Sequence, residues 1–246
     1  AGMLGRDLVD VLSDYDITAT TRQQLDITDA AAVDRAASGH DVVINAAAYT
    51  AVDQAETERG LAFAINAEGP RQLARASATH GARLIHVSTD YVFDGTATSP
   101  YLEDTPRNPQ SAYGGGSPAG EEAIEAEHPD GSIIIRTAWL YGQYGQHFPG
   151  TMLRLAESHD TVSVVTDQVG QPTWSLDLAH MIRTLVESGI ASGVFHGTNS
   201  GQASWFDFAQ TIFATAGLDP RRVQATTSDE FLRPAARPSW SVLGHD

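Results

Sequence analysis

The stretch Arg83-Leu84-Ile85-His86-Val87-Ser88 has the length and composition of a strand buried in a sheet. Residues 58–80, which precede it, carry apolar side chains at helical spacing. A second buried strand, Asp41-Val42-Val43-Ile44-Asn45, comes before that helix. Because strand, helix and strand alternate, the pattern predicts parallel strands covered by helices, the arrangement of an α/β protein.

The same alternation continues along the chain. Further strands are predicted at residues 16–20, 133–137, 162–165, 194–196 and 223–226, and further helices at residues 29–37, 152–157, 177–187 and 205–216. The first residues, Ala1-Gly2-Met3-Leu4-Gly5-Arg6, are similar to the second half of a Gly-x-x-Gly-x-x-Gly turn. In dinucleotide-binding proteins that turn follows the first strand and leads into a helix whose N-terminus holds the pyrophosphate.

These patterns together predict a Rossmann-like, doubly wound parallel sheet whose first strand is missing. A smaller C-terminal α/β subdomain, also cut at its end, is expected to accompany it. The expected division assigns residues 1–141 with 174–197 to the dinucleotide-binding domain and residues 142–173 with 198–246 to this subdomain.

Composition excludes several classes of protein. The formal charge of -16 argues against binding nucleic acid through its phosphates, which needs a basic surface. The absence of cysteine excludes disulfides and thiolate metal sites. Since no apolar run of about 18 residues occurs, no membrane span or membrane partner is expected. No signal peptide is visible, and the expected location is cytoplasmic.

The segment Tyr113-Gly114-Gly115-Gly116-Ser117-Pro118 conflicts with the helix expected from near Tyr113 through Ala126. Each glycine costs roughly 1 kcal/mol relative to alanine inside a helix. Either the segment is an alteration of a once regular helix start, or the helix begins late, with Ser117 as N-cap and Pro118 at the first helical position.

Several motifs occur in order along the chain. They are Leu25-Asp26-Ile27-Thr28-Asp29, Asn45-Ala46-Ala47-Ala48-Tyr49-Thr50, Asn66-Ala67-Glu68-Gly69, Ser88-Thr89-Asp90-Tyr91-Val92-Phe93-Asp94-Gly95, Arg136-Thr137-Ala138-Trp139-Leu140-Tyr141-Gly142, Asp167-Gln168-Val169-Gly170-Gln171-Pro172-Thr173 and Arg233-Pro234. On these motifs the chain resembles the dTDP-4-dehydrorhamnose reductases, extended short-chain dehydrogenases that reduce a nucleotide-linked 4-keto sugar with NADPH. The resemblance runs from Gly2 to about Gly244.

The resemblance implies that Thr89 and Tyr113 form the catalytic pair. Thr89 would polarise the ketone, and Tyr113 would donate the proton as hydride arrives. Family members carry a lysine four residues after the tyrosine, where a cation lowers the pKa of the phenol. This chain has Ser117 there and contains no lysine, because all 15 of its Lys+Arg residues are arginine. Impaired activity is therefore expected.

For the cofactor, the resemblance implies contacts to the turn at Gly2, Met3 and Leu4, to Asp26 and Ile27 at the adenine, and to the run Ala46, Ala47, Ala48 and Tyr49 at the nicotinamide ribose. An acidic residue about 20 positions past the glycine turn would bind the ribose hydroxyl of NAD. Arg22 stands in that region instead and could pair with the 2′-phosphate of NADPH, so NADPH is preferred and NADH stays open. The alternative for Arg22 is a solvated arginine in a loop.

The resemblance implies that the C-terminal subdomain, residues 142–173 with 198–246, is a substrate-binding subdomain. For the dTDP-sugar substrate it implies contacts from Thr50, Asp90, Trp139, Gln168, Pro172 and Arg233. The alternatives are a core tryptophan at 139 and a surface arginine at 233. Some family members bind Mg²⁺ through carboxylates, but that set cannot be matched here, so no metal site is predicted and use of Mg²⁺ stays open. A homodimer is also left open.

Two rival functions remain at this stage. The regulatory subunit of methionine adenosyltransferase shares the fold family and binds a nicotinamide cofactor while serving as a partner protein. A chain with an incomplete catalytic set could be such a binder. A reductase of another dTDP-keto sugar, such as the dihydrostreptose precursor, is the second rival.

Overall fold

The computed structural model describes residues 2–245, except for the side chains of Ala112 and Tyr113. The helices are α1 (Met3–Val11), α2 (Ala30–Ala37), α3 (Val52–Ala55), α4 (Arg59–Phe63), α5 (Gly69–His80), α6 (Ala112–Glu127), α7 (Phe148–Ser158), α8 (Ser175–Glu187) and α9 (Trp205–Thr215). The strands are β1 (Val42–Asn45), β2 (Arg83–Thr89), β3 (Ser132–Thr137), β4 (Leu140–Tyr141), β5 (Val162–Val165), β6 (Val169–Gly170), β7 (Thr173–Trp174), β8 (Gly193–His196), β9 (Ala203–Ser204) and β10 (Val223–Thr226). The alternation of helices and strands predicted from the sequence is confirmed.

The central sheet contains four parallel strands in the order β1-β2-β3-β8. Successive side chains of a strand point to opposite faces, and helices cover both faces. On one face, Ile85 and Ile133 pack with Leu8 of α1 and Leu178 of α8. On the other, a second core cluster forms from α2, α5 and α6 with the alternate strand positions. The doubly wound, Rossmann-like arrangement is therefore as predicted.

A second, smaller core lies in the C-terminal half. Strands β5 and β10 pair in parallel, and helices α7 and α9 pack against them. Met152, Val162, Ala209, Phe213 and Val223 are buried together in this cluster. Helix α9 begins with a capping box, in which Ser204 and Asp207 each accept a hydrogen bond from the other's backbone N–H.

The prediction of a strand at residues 16–20 is wrong. The structure places no strand there, and Ile17 is 38% exposed. A strand needs a neighbour to pair with its N–H and C=O groups. Among the described residues none forms a backbone hydrogen bond with this segment, so it runs as irregular backbone.

The helix predicted at residues 58–80 is interrupted. A π-helical turn at Ala64–Glu68 separates α4 from α5 and inserts one extra residue per turn. Its residue Asn66 is buried against α6. Such turns are frequent at functional sites, and this one lies beside the helix that carries Tyr113.

The late helix start with Ser117 as N-cap is also wrong. Helix α6 begins at Ala112, and the Ser111 hydroxyl caps it by accepting a hydrogen bond from Gly114 N. Pro118 lies inside the helix. The glycines fit a close approach: a Cβ at Gly116 would lie 3.1 Å from Asn66 Cβ, and one at Gly120 would collide with Asn66 O. The packing against the π-helical turn therefore compensates for the poor helix propensity of the segment.

Candidate active site

The carboxyl ends of β1, β2 and β3 meet at one edge of the sheet. Asn45 pairs with His86 in the β1–β2 register, and Thr89 pairs with Thr137 in the β2–β3 register. The run Ala46-Ala47-Ala48 directly follows β1, and Trp139 comes two residues after β3. In open α/β sheets the ligand binds outside this edge, so the fold brings these predicted site residues to the expected place.

Thr89 is held by a short turn that it caps itself. Its hydroxyl accepts a hydrogen bond from Tyr91 N over 3.3 Å, at the start of the 3-10 turn Asp90–Val92. The same hydroxyl donates to Asp90 Oδ1 over 2.8 Å. The side chains of the catalytic candidate Thr89 and the substrate-binding candidate Asp90 are therefore hydrogen-bonded to each other.

Asp90 is only 4% exposed, which differs from the open position expected of a substrate contact. Burial raises the pKa of its carboxyl to about 6, and this effect outweighs the Ser241 and Thr89 hydroxyls, which favour the charged form. A direct contact between Asp90 and substrate stays a prediction.

The side chain of Tyr113 lies outside the part of the chain that the structure describes. Its backbone belongs to the first turn of α6, and Ser117 follows one turn later, 7% exposed. The catalytic pairing of Tyr113 with Thr89 therefore stays a prediction.

A buried ionic cluster joins α6 to β2 and β3. Glu121 of α6 accepts hydrogen bonds from Ser88 Oγ at 2.5 Å, from Arg136 Nε at 3.0 Å and Nη2 at 2.7 Å, and from Arg107 Nη1 at 3.0 Å. Burial by itself would favour the neutral acid, but Arg136, Ser88 and Arg107 hold the pKa of Glu121 below its ordinary value. The cluster fixes α6 next to the strand that ends in Thr89.

Two side-chain amides anchor the exposed run of small residues at 46–48. Asn45 Oδ1 accepts from Ala47 N at 3.0 Å, and its Nδ2 lies 2.9 Å from His86 Nδ1. Asn66 holds the residue that follows this run: its side-chain amide accepts a hydrogen bond from Tyr49 N at 2.8 Å and donates one to Tyr49 O at 3.1 Å. Burial lowers the pKa of His86 to about 4, so the imidazole is neutral and can accept from Asn45.

These anchoring residues were not identified as site residues from the sequence. Glu121 is 33 positions from Ser88 in the chain, and Asn66 is 17 from Tyr49, so only the fold joins them. A carboxylate eight residues after Tyr113 on one helix face was the only available signal for Glu121.

Helix α1 begins directly after Gly2. Gly2 is the N-cap of α1, and no described side chain within residues 2–245 caps the first turn. The side chain of Leu4 is buried in the core, so only backbone atoms of Leu4 remain available to a ligand. Met3 is half-buried and lies beside Gly142.

Arg22 and Asp26 are exposed beyond the end of the irregular segment. The backbone N–H of Thr28 hydrogen-bonds to Asp26 and holds the pKa of its carboxyl below the ordinary value. Ile27 packs on Gly69, where a Cβ would lie 2.5 Å from Ile27 Cδ1. This cluster of exposed polar groups and a half-buried isoleucine suits the adenosine end of a dinucleotide.

Trp139 combines strain with aromatic packing. Its φ of 47° lies in the left-handed region, which costs of order 1–3 kcal/mol for a bulky residue. The indole stacks on Trp205 with centroids 3.6 Å apart, and a Cβ at Gly170 would lie 2.5 Å from Trp139 Cε2. The predicted site residue Trp139 therefore lies against the loop that contains Gly170. Trp205, which stacks on it, was not identified as a site residue from the sequence.

The remaining substrate candidates lie on segments of the C-terminal half and beside β1. Gln168 donates to Ser228 Oγ at 2.9 Å, and Pro172 is half-buried just before β7. Arg233 pairs with Asp53 of α3, Nη1 to Oδ2 at 3.2 Å, and Arg237 pairs with the same carboxylate at 3.0 Å. Thr50 is exposed after the 46–49 run. Arg233 thus faces an anionic group, although here it is a carboxylate.

The donor set fits a nicotinamide dinucleotide. The described groups available to it are the N-terminus of α1, the exposed Arg22 and the exposed run of three alanines at 46–48. Small side chains at 46–48 leave the backbone open to close approach.

Comparison with known proteins agrees with this geometry. Over residues 1–246 the chain matches the family described as RmlD substrate binding domain. The chain belongs to this family. The dTDP-4-dehydrorhamnose reductase of Streptomyces griseus is 48% identical over 251 residues, covering 99% of this chain and 83% of that protein. The dTDP-4-keto-6-deoxy-D-glucose reductase of Streptomyces niveus is 46% identical over 250 residues, covering 100% and 86% respectively.

A solved relative extends the match to three dimensions. The crystal structure of dTDP-4-dehydrorhamnose reductase from Bacillus anthracis in complex with NADP has a TM-score of 0.95 at 40% identity, covering 100% of this chain and 88% of that one. The family resemblance read from the sequence is confirmed. No helix within residues 2–245 has the length and apolar character needed to cross a membrane.

Proposed function

We propose that this protein reduces the C4 ketone of dTDP-4-dehydro-L-rhamnose, a dTDP-4-keto-6-deoxyhexose, with NADPH to give dTDP-L-rhamnose. The observation that carries the proposal is the edge of the sheet where Thr89 ends β2 beside the exposed 46–48 run and Trp139. Relatives named as reductases of dTDP-keto sugars, one of them in complex with NADP, support the choice of substrate and cofactor. The proposed location is the cytoplasm.

The protein's own residues would bind, orient and protonate. NADPH, when bound, supplies the hydride. Thr89 would donate a hydrogen bond to the ketone oxygen, and the Tyr113 hydroxyl would pass its proton to that oxygen as negative charge develops. Without a lysine at 117 the phenol stays protonated near neutral pH, so it can donate but is slow to do so. A rate about 10²–10⁴-fold below that of a complete acid–base set follows.

The cofactor is proposed to lie along the edge described above. The N-terminus of α1 at Gly2, Met3 and Leu4 would hold the pyrophosphate through backbone N–H groups. Arg22 would pair with the 2′-phosphate, and Asp26 with Ile27 would contact the adenosine. The 46–49 run would face the nicotinamide ribose. This places residues 1–141 with 174–197 in the cofactor-binding domain, a division supported by the separate core around Phe213.

The sugar nucleotide is proposed to lie between that edge and the second core. Trp139 would line the hexose, and Thr50 and Asp90 would border it from the sheet side. Gln168, Pro172 and Arg233 would approach from the substrate-binding part, residues 142–173 with 198–246. A planar arginine fork suits a diphosphate, which supports the role of Arg233.

The test is oxidation of NADPH, followed by absorbance, when the dTDP-4-keto-6-deoxyhexose is added. Thr89→Val keeps the shape of the side chain and removes the hydroxyl, and we expect it to abolish most of the rate. Thr211→Val, on an exposed position of α9, is the matched control and should leave the rate unchanged. Size-exclusion chromatography of the same sample would test the homodimer.

A partner-protein role is the second candidate, and Ser117 in place of the lysine favours it. In that case NADPH would bind without being oxidised, and the protein would capture a larger enzyme. Cofactor and sugar binding together with no oxidation, even at high enzyme concentration, would replace the reductase proposal by this one.

A further inference from the structure

The Thr89 hydroxyl has one proton, and a charged Asp90 carboxylate, which can only accept, holds it. Oγ1 donates to Asp90 Oδ1 at 2.8 Å and accepts from Tyr91 N at 3.3 Å. A hydroxyl carries one donor and two acceptor positions. While its proton is held by Asp90, Thr89 can offer a ketone only a lone pair, and two oxygen lone pairs repel each other.

The Asp90 carboxyl is suited to carry a proton of its own. It is 4% exposed, and its Oδ2 has no hydrogen-bond partner among the residues that the structure describes. The Ser241 hydroxyl lies near enough to favour the charged form but makes no hydrogen bond of ordinary geometry. The described groups that face the carboxyl are thus the Thr89 and Ser241 hydroxyls and the Tyr91 backbone, none of them charged. An unpaired carboxylate oxygen in such a place is costly, which favours the acid.

We propose that Asp90 is a positioning residue: in its protonated form it donates to Thr89 Oγ1 and so turns the Thr89 proton toward the ketone oxygen of the substrate. The inference rests on the proposed function, because it needs a ketone at this site. No proton is consumed, since Asp90 keeps its proton through the reaction and only the direction of the hydrogen bond changes. Asp90 then acts through Thr89, which accounts for its buried position.

The arrangement makes reduction depend on pH in a defined direction. Burial raises the pKa of Asp90 to about 6, so the productive form is lost as pH rises through that value. Above pH 6 the rate at low substrate should fall about tenfold per pH unit in proportion to the protonated fraction. Asp90→Asn donates through its amide at every pH, so the profile of this variant should be flat over the same range. Ser241→Ala removes a hydroxyl that favours the charged form, so it should move the falling limb to higher pH.

A second measurement separates this inference from the proposed function. With NADP⁺ bound no hydride can be transferred, and the infrared stretch of the bound, isotope-labelled 4-ketone reports directly on donation from Thr89. We expect the stretch to move to lower frequency as pH falls through about 6. In Asp90→Asn it should be low at all pH values, and in Thr89→Val it should not move.

The outcomes decide between the two claims. A ketone stretch that follows pH as stated supports the positioning role even if NADPH oxidation by the chain is undetectable, a result that would count against the reductase function alone. A bound ketone whose stretch ignores pH, or the same pH profile in Asp90→Asn and the parent, overturns the positioning role while leaving the reductase intact. If the keto sugar does not bind at all, both claims fail.

Discussion

Arg136 Nη2 donates to Glu121 Oε2 across 2.7 Å, and the two side chains are 2% and 0% exposed. Breaking a buried pair of this kind leaves an uncompensated charge and costs about 3–5 kcal/mol. We therefore expect Glu121→Ala to lower the free energy of unfolding by that amount in urea titrations. Glu125→Ala is the matched control: it lies on the same helix and pairs with Arg107 at the surface, so its loss should stay below about 1 kcal/mol. Equal losses in the two variants would refute this account of α6.

The buried groups His86 and Asp90 should oppose each other in the pH dependence of stability. His86 has a folded pKa of about 4 against an ordinary 6.5, so between these values the unfolded chain binds the extra proton and stability falls with falling pH. Asp90 has a folded pKa of about 6 against 3.8, so between these values the folded chain holds the extra proton and stability rises with falling pH. The two slopes, about 1.4 kcal/mol per pH unit each, largely cancel.

Replacing either His86 or Asp90 should therefore reveal the pH dependence of stability that the other one causes. Relative to the parent, Asp90→Asn should lose about 1.4 kcal/mol of unfolding free energy per pH unit on going from pH 6 toward pH 4. His86→Gln should show the opposite slope. Urea unfolding at a series of pH values measures both, and parallel curves for parent and variants would contradict the assignment.

Asp53 pairs with Arg233, which is proposed to meet the diphosphate, and with the neighbouring Arg237. Its carboxylate pairs with Arg233 at 3.2 Å and Arg237 at 3.0 Å, and it also accepts from Ala235 N at 3.3 Å. Because a diphosphate must compete with this carboxylate, Asp53→Asn should tighten binding of dTDP about two- to fivefold, as expected for partly exposed pairs worth up to ~1 kcal/mol. Calorimetric titration measures the change, and added salt should reduce it.

The control for that titration is Asp219→Asn, which breaks an exposed pair with Arg221 and should leave dTDP affinity unchanged. Weaker binding in Asp53→Asn would mean that Asp53 aligns the arginines for the ligand instead of competing with it.

Ser117→Lys should raise keto-sugar reduction. The new cation lies one helical turn after Tyr113 and would lower the pKa of the phenol. A gain of about 10²-fold or more in kcat is expected, and Tyr113→Phe in the same background should remove it. Ser117→Met is the matched control, with similar length and no charge.

A separate change can stabilise the start of α6. Among Gly114, Gly115 and Gly116, only Gly115 has open space for a Cβ, so Gly115→Ala is the substitution that raises helix propensity without a clash.

Arg22→Ala should remove the preference for NADPH over NADH. An exposed guanidinium can pair with the 2′-phosphate, which NADH lacks. Fluorescence titration with both cofactors should show a weaker affinity for NADPH and an unaltered affinity for NADH. Unchanged affinities for both would assign Arg22 to the solvated surface.

Much of the fold could be predicted because it depends on local patterns. The strands Val162–Val165 and Val223–Thr226 have the predicted bounds, since short β-branched runs there are bounded by turn residues. The segment at 16–20 has a similar composition, but strand formation depends on a pairing partner that the local sequence does not specify. The π-helical turn at Ala64–Glu68 has no periodic signature and depends on packing against α6.

The site was predictable where a motif carries it and not where tertiary contacts do. Thr89, Trp139 and the 46–48 run lie at the carboxyl edge of the sheet because each stands at the end of a strand or within a few residues after it. The roles of Asn66 and Glu121 depend on residues far away in the chain, and the surroundings of the Asp90 carboxyl include Ser241, which is also distant in sequence. No pattern within one segment could report these contacts.

The bare surface of α6 at Gly116 and Gly120 has a consequence for how this segment can change over generations. Substitutions that remove side chains from this face leave its docking against Asn66 intact, whereas those that add a methyl group press the helix away from its neighbour. This face of α6 therefore tolerates a loss of side-chain volume better than a gain. Return from glycine to a larger residue is blocked at the packed positions Gly116 and Gly120 but open at Gly115, so the helix can regain propensity at Gly115 without rearrangement of the interface.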